Sequence, residues 1–265
     1  MSTNRFWMMS QTMLSSTIIQ YLERNENSFF SIWCSHLSLK STRILYNRKL
    51  SDDWLFNHAT GILPSSAKIT VFEEIRDVFD KMKIQPCIYV LPGPKTSIME
   101  EMIHASNMVH IDTIEVMYAN HVPPASGNSI QITCIENKDA DRWVDLYLKA
   151  FDVSISAIEE VRRAVSRMLR ERVDLLLAKI DDKAVGILAL FSQERVGGIY
   201  CVGTDPDYRK HGVGSALLSE AARLSIKRGN FILGLQILRS ANLRNFYAQN
   251  GFTKIYDKKV YSSRI

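Results

Sequence analysis

The sequence predicts an α/β protein in two domains, on three observations. Helix-spaced and strand-spaced apolar segments alternate through both halves of the chain. A run dense in turn formers, His121-Val-Pro-Pro-Ala-Ser-Gly-Asn-Ser129, separates the halves. In the second half one long amphipathic segment, Gly212–Arg228, crosses between two short apolar strands. The expected division is an α/β domain over 1–120, a linker over 121–129 and a second domain over 130–265.

In the first half, residues 12–24 and 27–38 read as helices, and Arg43–Tyr46 and Trp54–Leu63 as extended segments. Ile69–Lys83 carries Val71, Ile75, Val78, Phe79 and Met82 at helical spacing. Cys87-Ile-Tyr-Val-Leu91 is a short apolar strand closed by Pro92-Gly93-Pro94. Ser97–Ser106 follows as a helix and Val109–Tyr118 as an alternating strand.

The second half reads β-α-α-β-β-β-α-β-α-β. Ile130–Glu136 is a strand, and Ala140–Phe151 is a helix with Trp143, Leu146, Tyr147 and Ala150 on one face. Ser156–Arg172 is a second helix. Val173–Ile180 and Ala184–Phe191 are apolar strands joined by the polar turn Asp181-Asp182-Lys183. Val196–Thr204 is a strand, Gly212–Arg228 a helix and Phe231–Gln236 a strand. Ser240–Asn250 is a short helix, with Ser240 as N-cap and Gly251 as the left-handed residue after it. The last strands lie in Thr253–Tyr261.

The composition narrows the function. The chain of 265 residues is long enough for two cores. No run approaches the roughly 20 apolar residues of a membrane helix. The first 25 residues lack the continuous apolar stretch of a secretory signal, so a cytoplasmic protein is expected. Cys34, Cys87, Cys134 and Cys201 are too far apart in sequence for the close pairs of a zinc site, and no metal is expected. Residues 1–129 carry 11 basic and 12 acidic side chains, a net of −1; residues 130–265 carry 22 and 16, a net of +6. An anionic partner is therefore expected in the second half. No basic cluster interleaved with aromatics points to nucleic acid, so a polyphosphorylated small molecule is the better match.

The segment Val202-Gly-Thr-Asp-Pro-Asp-Tyr-Arg-Lys-His-Gly-Val-Gly-Ser-Ala-Leu217 joins a strand to a helix. Pro206 stops the strand, since it cannot donate to a ladder. Gly212 and Gly214 stand where the helix begins and allow a bulky ligand near the backbone. The first amides of a helix have no internal partner and lie at its positive end, an anion site suited to a pyrophosphate. The P-loop pattern is absent, and Leu217 occupies the place of the third glycine of a dinucleotide fingerprint.

This string resembles the acetyl-CoA motif of the GNAT superfamily of N-acetyltransferases, Arg/Gln-x-x-Gly-x-Gly/Ala. About 30 residues downstream, Asn242-Leu-Arg-Asn-Phe-Tyr-Ala-Gln-Asn-Gly-Phe252 resembles that family's second motif, an Asn followed by Tyr-x-x-x-Gly-Phe, with four residues here between Asn242 and Tyr247. The resemblance covers 130–265. It implies a mixed, splayed sheet flanked by helices, acetyl-CoA as acyl donor and an amine acceptor. It also implies that Val202, Gly203 and Thr204 offer backbone to the pantetheine and the acetyl carbonyl, Thr204 as the oxyanion contact. Arg209, Lys210, His211, Gly212, Val213, Gly214 and Ser215 would wrap the pyrophosphate. Asn242 would bond the cofactor arm, and Tyr247 would stand beside the sulfur as general acid. A packing role for Tyr247 beside Phe246 and Phe252 is the other reading.

No general base is assigned. Val196–Val202 contains no acid; Glu194, Tyr200 and a bound water are the alternatives. Arg162, Arg163, Arg167, Arg170 and Arg172 admit an acidic acceptor, or a solvated helix paired to Glu159 and Glu160. Residues 1–120 resemble a degenerate GNAT-like half: Leu63-Pro-Ser-Ser-Ala-Lys-Ile-Thr70 lacks the glycines of a cofactor loop, so no cofactor is expected there. For Asn57 and His58 buried structural hydrogen bonding is the expectation. A longer acyl donor, as in glycine N-acyltransferase-like proteins, and a non-catalytic acyl-CoA sensor are the competing functions. The sequence does not give the oligomeric state.

Overall fold

The structure is a computed structural model and describes residues 3–39, 42–62, 68–93, 96–125 and 130–263. Of residues 3–16 only the helical backbone is described. The order is α1 (Thr3–Trp33), β1 (Ser35–Leu39), β2 (Thr42–Tyr46), β3 (His58–Thr60), α2 (Ile69–Met82), β4 (Cys87–Val90), α3 (Thr96–Ala105) and β5 (Met108–Ala119). The second half runs β6 (Gln131–Cys134), α4 (Ala140–Phe151), α5 (Ile158–Arg170), β7 (Asp174–Ile180), β8 (Lys183–Gln193), β9 (Val196–Thr204), α6 (Val213–Lys227), β10 (Ile232–Leu238), α7 (Arg244–Gln249) and β11 (Thr253–Ser263).

The strands of both halves form one sheet among the described residues, ordered β1-β2-β3-β4-β11-β5-β10-β9-β8-β7-β6. The halves exchange strands across the 121–129 run. β5 enters between β10 and β11, pairing antiparallel with each. β11 reaches the other way, its Lys259–Ser262 pairing with Val90–Cys87 of β4. The β9–β10 pair is parallel, as the crossover through α6 requires. At Asp181 and Asp182 both φ angles are positive, the conformation of a two-residue hairpin turn.

Helices cover both faces. On one, α1, α4 and α5 pack on β7–β9 around Trp143, Phe29, Trp33, Val161 and Met168. On the other, α6 and α7 pack through Val213, Leu217, Ala221 and Tyr247. A third core under α2 and α3 holds Phe72, Ile75, Phe79 and Ile103.

Three sequence expectations are corrected. The two helices over 12–24 and 27–38 are one helix ending at Trp33, and 35–39 is a strand. Asn25 and Asn27 do not break it, because their amides bond elsewhere: Asn25 donates to the Phe191 and Val196 carbonyls, and Asn27 to the Glu23 carbonyl. Of Trp54–Leu63 only His58–Thr60 is strand. The Asn57 side chain folds the residues before it into turns, donating to the Leu50 and Asp53 carbonyls and accepting from the Asn47 amide. Residues 63–67, Leu63 among them, lie outside the described residues. Ser240 does not cap a helix; its hydroxyl donates to Asp112 at 2.6 Å, and α7 begins four residues later.

Candidate active site

The parallel pairing of β9 and β10 spans only Val196–Gly198 and Ile232–Gly234. Beyond it the strands diverge, because each is held by its other neighbour. β9 stays on β8, with Tyr200 opposite Ala189 and Thr204 opposite Gly186. β10 stays on β5 as far as Leu238 opposite Ile114. The glycines at the fork are needed for close approach. A Cβ on Gly198 would overlap Asn25 Oδ1 of α1, and one on Gly234 would overlap Leu22. The result is a gap in the middle of the sheet.

On the gap's β9 edge the register slips, so that Cys201 and Val202 together face Leu188. Cys201 has φ +53°, strained for a residue with a side chain. A bulge of this kind takes backbone groups out of the ladder and re-aims them. Thr204 lies at the strand's end, back in register. No residue pattern along Val196–Thr204 signals the bulge.

After Thr204 the chain turns at Asp205, whose carboxylate is buried, held by Lys149 at 2.8 Å and bonded by the Asp207 amide. The Arg209 guanidinium donates to the Ala150 carbonyl at 3.1 Å, tying the loop to α4. Lys210 and Gly212 take positive φ, +65° and +80°. The His211 ring bonds the Arg209 carbonyl through Nδ1 and is otherwise exposed. Gly212 caps α6 without a side chain, and the first helical bond is Ala216 N–H to the Gly212 carbonyl. The amides of Val213, Gly214 and Ser215 are therefore left without helical partners, beside exposed Arg209 and Lys210. This cradle fits a diphosphate.

Asn242 is exposed at φ +55°, its side-chain amide 3.4 Å from the Ser240 carbonyl. It lines a cavity of about 480 Å³ with Glu115, Arg239 and Arg244. Glu115 is 2 % exposed and clamped by both guanidiniums, the Arg244 bonds first holding its carboxyl below the usual range. Its position inside the otherwise apolar strand Ile114–Met117 was the signal available in the sequence. Tyr247 is 6 % exposed and packs edge-on against Phe246 and Phe252. Burial pushes its phenol above the ordinary value.

Two of the alternatives for the base, Glu194 and Tyr200, are engaged by other groups. Glu194 sits in the β8–β9 turn at φ +48°, 3.3 Å from Arg24. The Tyr200 hydroxyl donates to Asn25 Oδ1 at 2.8 Å, and its ring stacks on Phe29 at 3.8 Å. The α5 arginines have partners within the chain. Arg162 pairs with Glu159 and Asp141, Arg163 with Glu160; Arg167 donates to the Ile32 carbonyl and Arg170 to Ser166. Asn57 and His58 are buried, His58 bonding the Leu55 carbonyl.

Residues 171–254, from the start of β7 to the start of β11, match the family model of the acetyltransferase (GNAT) domain. That stretch is similar to a GNAT acetyltransferase domain. The chain is 25 % identical over 132 residues to an uncharacterized N-acetyltransferase of Archaeoglobus fulgidus, a match covering 45 % of this chain and 90 % of that one. Another from Methanocaldococcus jannaschii is 27 % identical over 131 residues, covering 44 % of this chain and 58 % of the relative. Among solved structures, a GCN5-related N-acetyltransferase from Kribbella flavida superposes with a TM-score of 0.67 at 14 % identity, over 95 % of each chain. A tandem GNAT protein from the clavulanic acid biosynthesis pathway gives a TM-score of 0.58 at 13 % identity, over 78 % of this chain and 74 % of that one. The likeness of fold therefore extends beyond the matched stretch into the first half.

Proposed function

We propose that the protein is an acetyl-CoA-dependent N-acetyltransferase that acetylates a primary amine of a small molecule or peptide by direct attack on the thioester. The observation that carries this is the glycine-led, uncapped start of α6 set beside a gap between parallel strands. Acetyl-CoA supplies the activated acetyl group. Arg209, Lys210 and the backbone from His211 through Ser215 hold its pyrophosphate, and Val202, Gly203, Thr204 and Asn242 its pantetheine arm. The Cys201–Val202 bulge favours an oxyanion donor within those two residues, ahead of Thr204; such a donor contributes about 3 kcal/mol.

Tyr247 acts as the acid for the leaving sulfur. Burial raises its phenol, which weakens it as an acid toward a solvated thiolate. The same burial raises thiols in this protein: Cys201, beside the gap, is pushed up to about 12. A thiolate leaving into this environment is correspondingly more basic, and the transfer stays matched. The first half serves as the wall of the acceptor pocket.

Acetyl-CoA at about 100 times its dissociation constant stabilises the fold by about 2.7 kcal/mol. The melting shift and the release of free thiol with a panel of amines and peptides test the proposal together. No shift with acetyl-CoA defeats it. A shift without thiol release from any acceptor supports an acyl-CoA sensor instead. A larger shift with longer acyl-CoA supports the longer donor.

A further inference from the structure

At the apex of the gap α1 brings a charged cluster from the first half against strands of the second. Lys258 of β11 is completely buried and lies against two carboxylates of α1, Glu26 and, at 3.1 Å, Glu23. Tyr256 donates its hydroxyl to Glu23. Gln236, on the diverging part of β10, lies beside the Glu26 carboxyl. Two carboxylates share one ammonium, so the cluster holds more negative than positive charge. Glu26 is 4 % exposed, and its Oε1 has no hydrogen-bond partner among the described residues; nor does the hydroxyl of Tyr89, whose ring lies under Lys258. A cavity of about 10 Å³, enough for roughly one water, opens at the fork between apolar Leu22, Val116 and Leu235 and polar Asn25, Tyr200 and Gln236; Glu26 does not line it and reaches it by way of Gln236.

We propose that Glu26, supplied by the first half of the chain, is the general base that takes the proton from the acceptor ammonium through this water-sized cavity. The inference rests on the acetyltransferase reading above. β9 offers no carboxylate, Glu194 is held in a turn by Arg24, and the Tyr200 proton is committed to Asn25. Glu26 is the buried carboxyl with an unused lone pair next to the fork. Its surroundings favour proton uptake: burial raises its carboxyl to about 6, with Lys258 opposing and Glu23 adding to the rise. The groups facing it are Glu23 on its own helix, Lys258 and Tyr256 from β11, Tyr200 from β9 and Tyr89 from β4. His58 of β3, held neutral, stacks on the far side of Tyr89.

The step balances. The ammonium gives one proton to Glu26 and becomes the neutral nucleophile. Its nitrogen bonds to the thioester carbonyl carbon, the C–S bond breaks, Tyr247 gives its hydroxyl proton to the leaving sulfur, and the second nitrogen proton restores the Tyr247 hydroxyl. Glu26 then returns its proton to solvent.

The test compares wild type, Glu26→Gln and Glu26→Asp from pH 5 to 9, with thiol release, the melting shift with acetyl-CoA and a 13C NMR titration of the Glu26 carboxyl. Glu26→Gln is expected to lower kcat about 100-fold, to abolish the acidic limb of the pH profile, and to leave the acetyl-CoA melting shift intact. Glu26→Asp should keep the limb at a reduced rate. The midpoint of the wild-type limb should coincide with that of the carboxyl titration. An active Glu26→Gln within threefold of wild type, or one that keeps the limb, overturns this inference alone. So does a disagreement of more than one pH unit between limb and carboxyl, a comparison that holds even if Glu26→Gln fails to fold. A wild type that binds acetyl-CoA but acetylates no amine overturns the proposed function, and this inference with it.

Discussion

Gly214 of α6 meets the tip of the Phe246 ring of α7, so close that a Cβ on Gly214 would stand 2.9 Å from the Phe246 Cζ. Glycine is required there by a tertiary contact rather than by its backbone angles. At Gly212, two residues earlier, the requirement is the positive φ. The two motif glycines thus serve different ends.

Gly214→Ala should push the Phe246 ring, and α7 with it, away from the cradle. Overpacking of this size costs roughly 1–3 kcal/mol, readable as a lower urea midpoint. The acetyl-CoA melting shift should shrink as well. Full stability in Gly214→Ala would mean that Phe246 moves freely and that α7 is not fixed by this contact.

Lys210→Ala should weaken acetyl-CoA binding about tenfold, or about 1.4 kcal/mol, measured by calorimetry. Its side chain is exposed, so the melting temperature without ligand should not change. The binding loss should narrow as salt is raised, because exposed charges are screened. Equal losses at low and high salt would contradict a phosphate contact.

Asn25 ties α1 to the sheet three times, donating to the Phe191 carbonyl of β8 and the Val196 carbonyl of β9 and accepting from Tyr200 of β9. Asn25→Ala should cost about 1–3 kcal/mol, because it leaves buried polar groups unpaired. Gly198→Ala should also destabilise, its Cβ meeting the same Asn25 oxygen. The double variant should lose less than the sum of the two, since removing Asn25 relieves the nearest of the overlaps and frees the Tyr200 side chain, which the same Cβ would meet, to move. Strict additivity in the denaturation midpoints would refute the contact.

His58 makes stability fall in mild acid. Burial first, and the Lys258 charge second, hold its imidazole down to about 3. The folded value lies below the unfolded one of 6.5, so the unfolded chain binds the extra proton. Stability is full above pH 6.5 and is lost as the pH falls toward 3, by up to about 1.4 kcal/mol per pH unit. Glu26 opposes this, since its raised value costs stability as pH climbs from 4.5 to about 6. His58→Phe retains a ring against Tyr89 and should flatten the acid slope between pH 6.5 and 5 relative to wild type. An unchanged slope would show that His58 titrates normally.

Much of the second half was legible because its signals are local. Val196–Thr204 and Ala140–Phe151 are bounded as the sequence reads them, by apolar spacing and by Pro206 or a change of period. Gly251 takes the left-handed conformation expected after a helix. The cradle at Gly212 followed from proline, glycine and the helix start together. Elsewhere local signals were outvoted. Asn25 looks like a helix breaker until Phe191, more than 160 residues away, accepts its amide. Ser240 looks like a cap until Asp112 takes its hydroxyl.

By itself the sequence determined the α/β class, the order of elements from Gln131 onward and the glycine-led start of α6, all of which depend on residues near one another in the chain. Only the tertiary structure decided that β5 and β11 trade places between the halves, that β9 bulges at Cys201, and that Glu26 meets Lys258. Those facts depend on strands competing for the same edges and on charges enclosed together from opposite ends of the chain. Pattern along a sequence cannot carry them, because burial and pairing partners exist only once the sheet has formed.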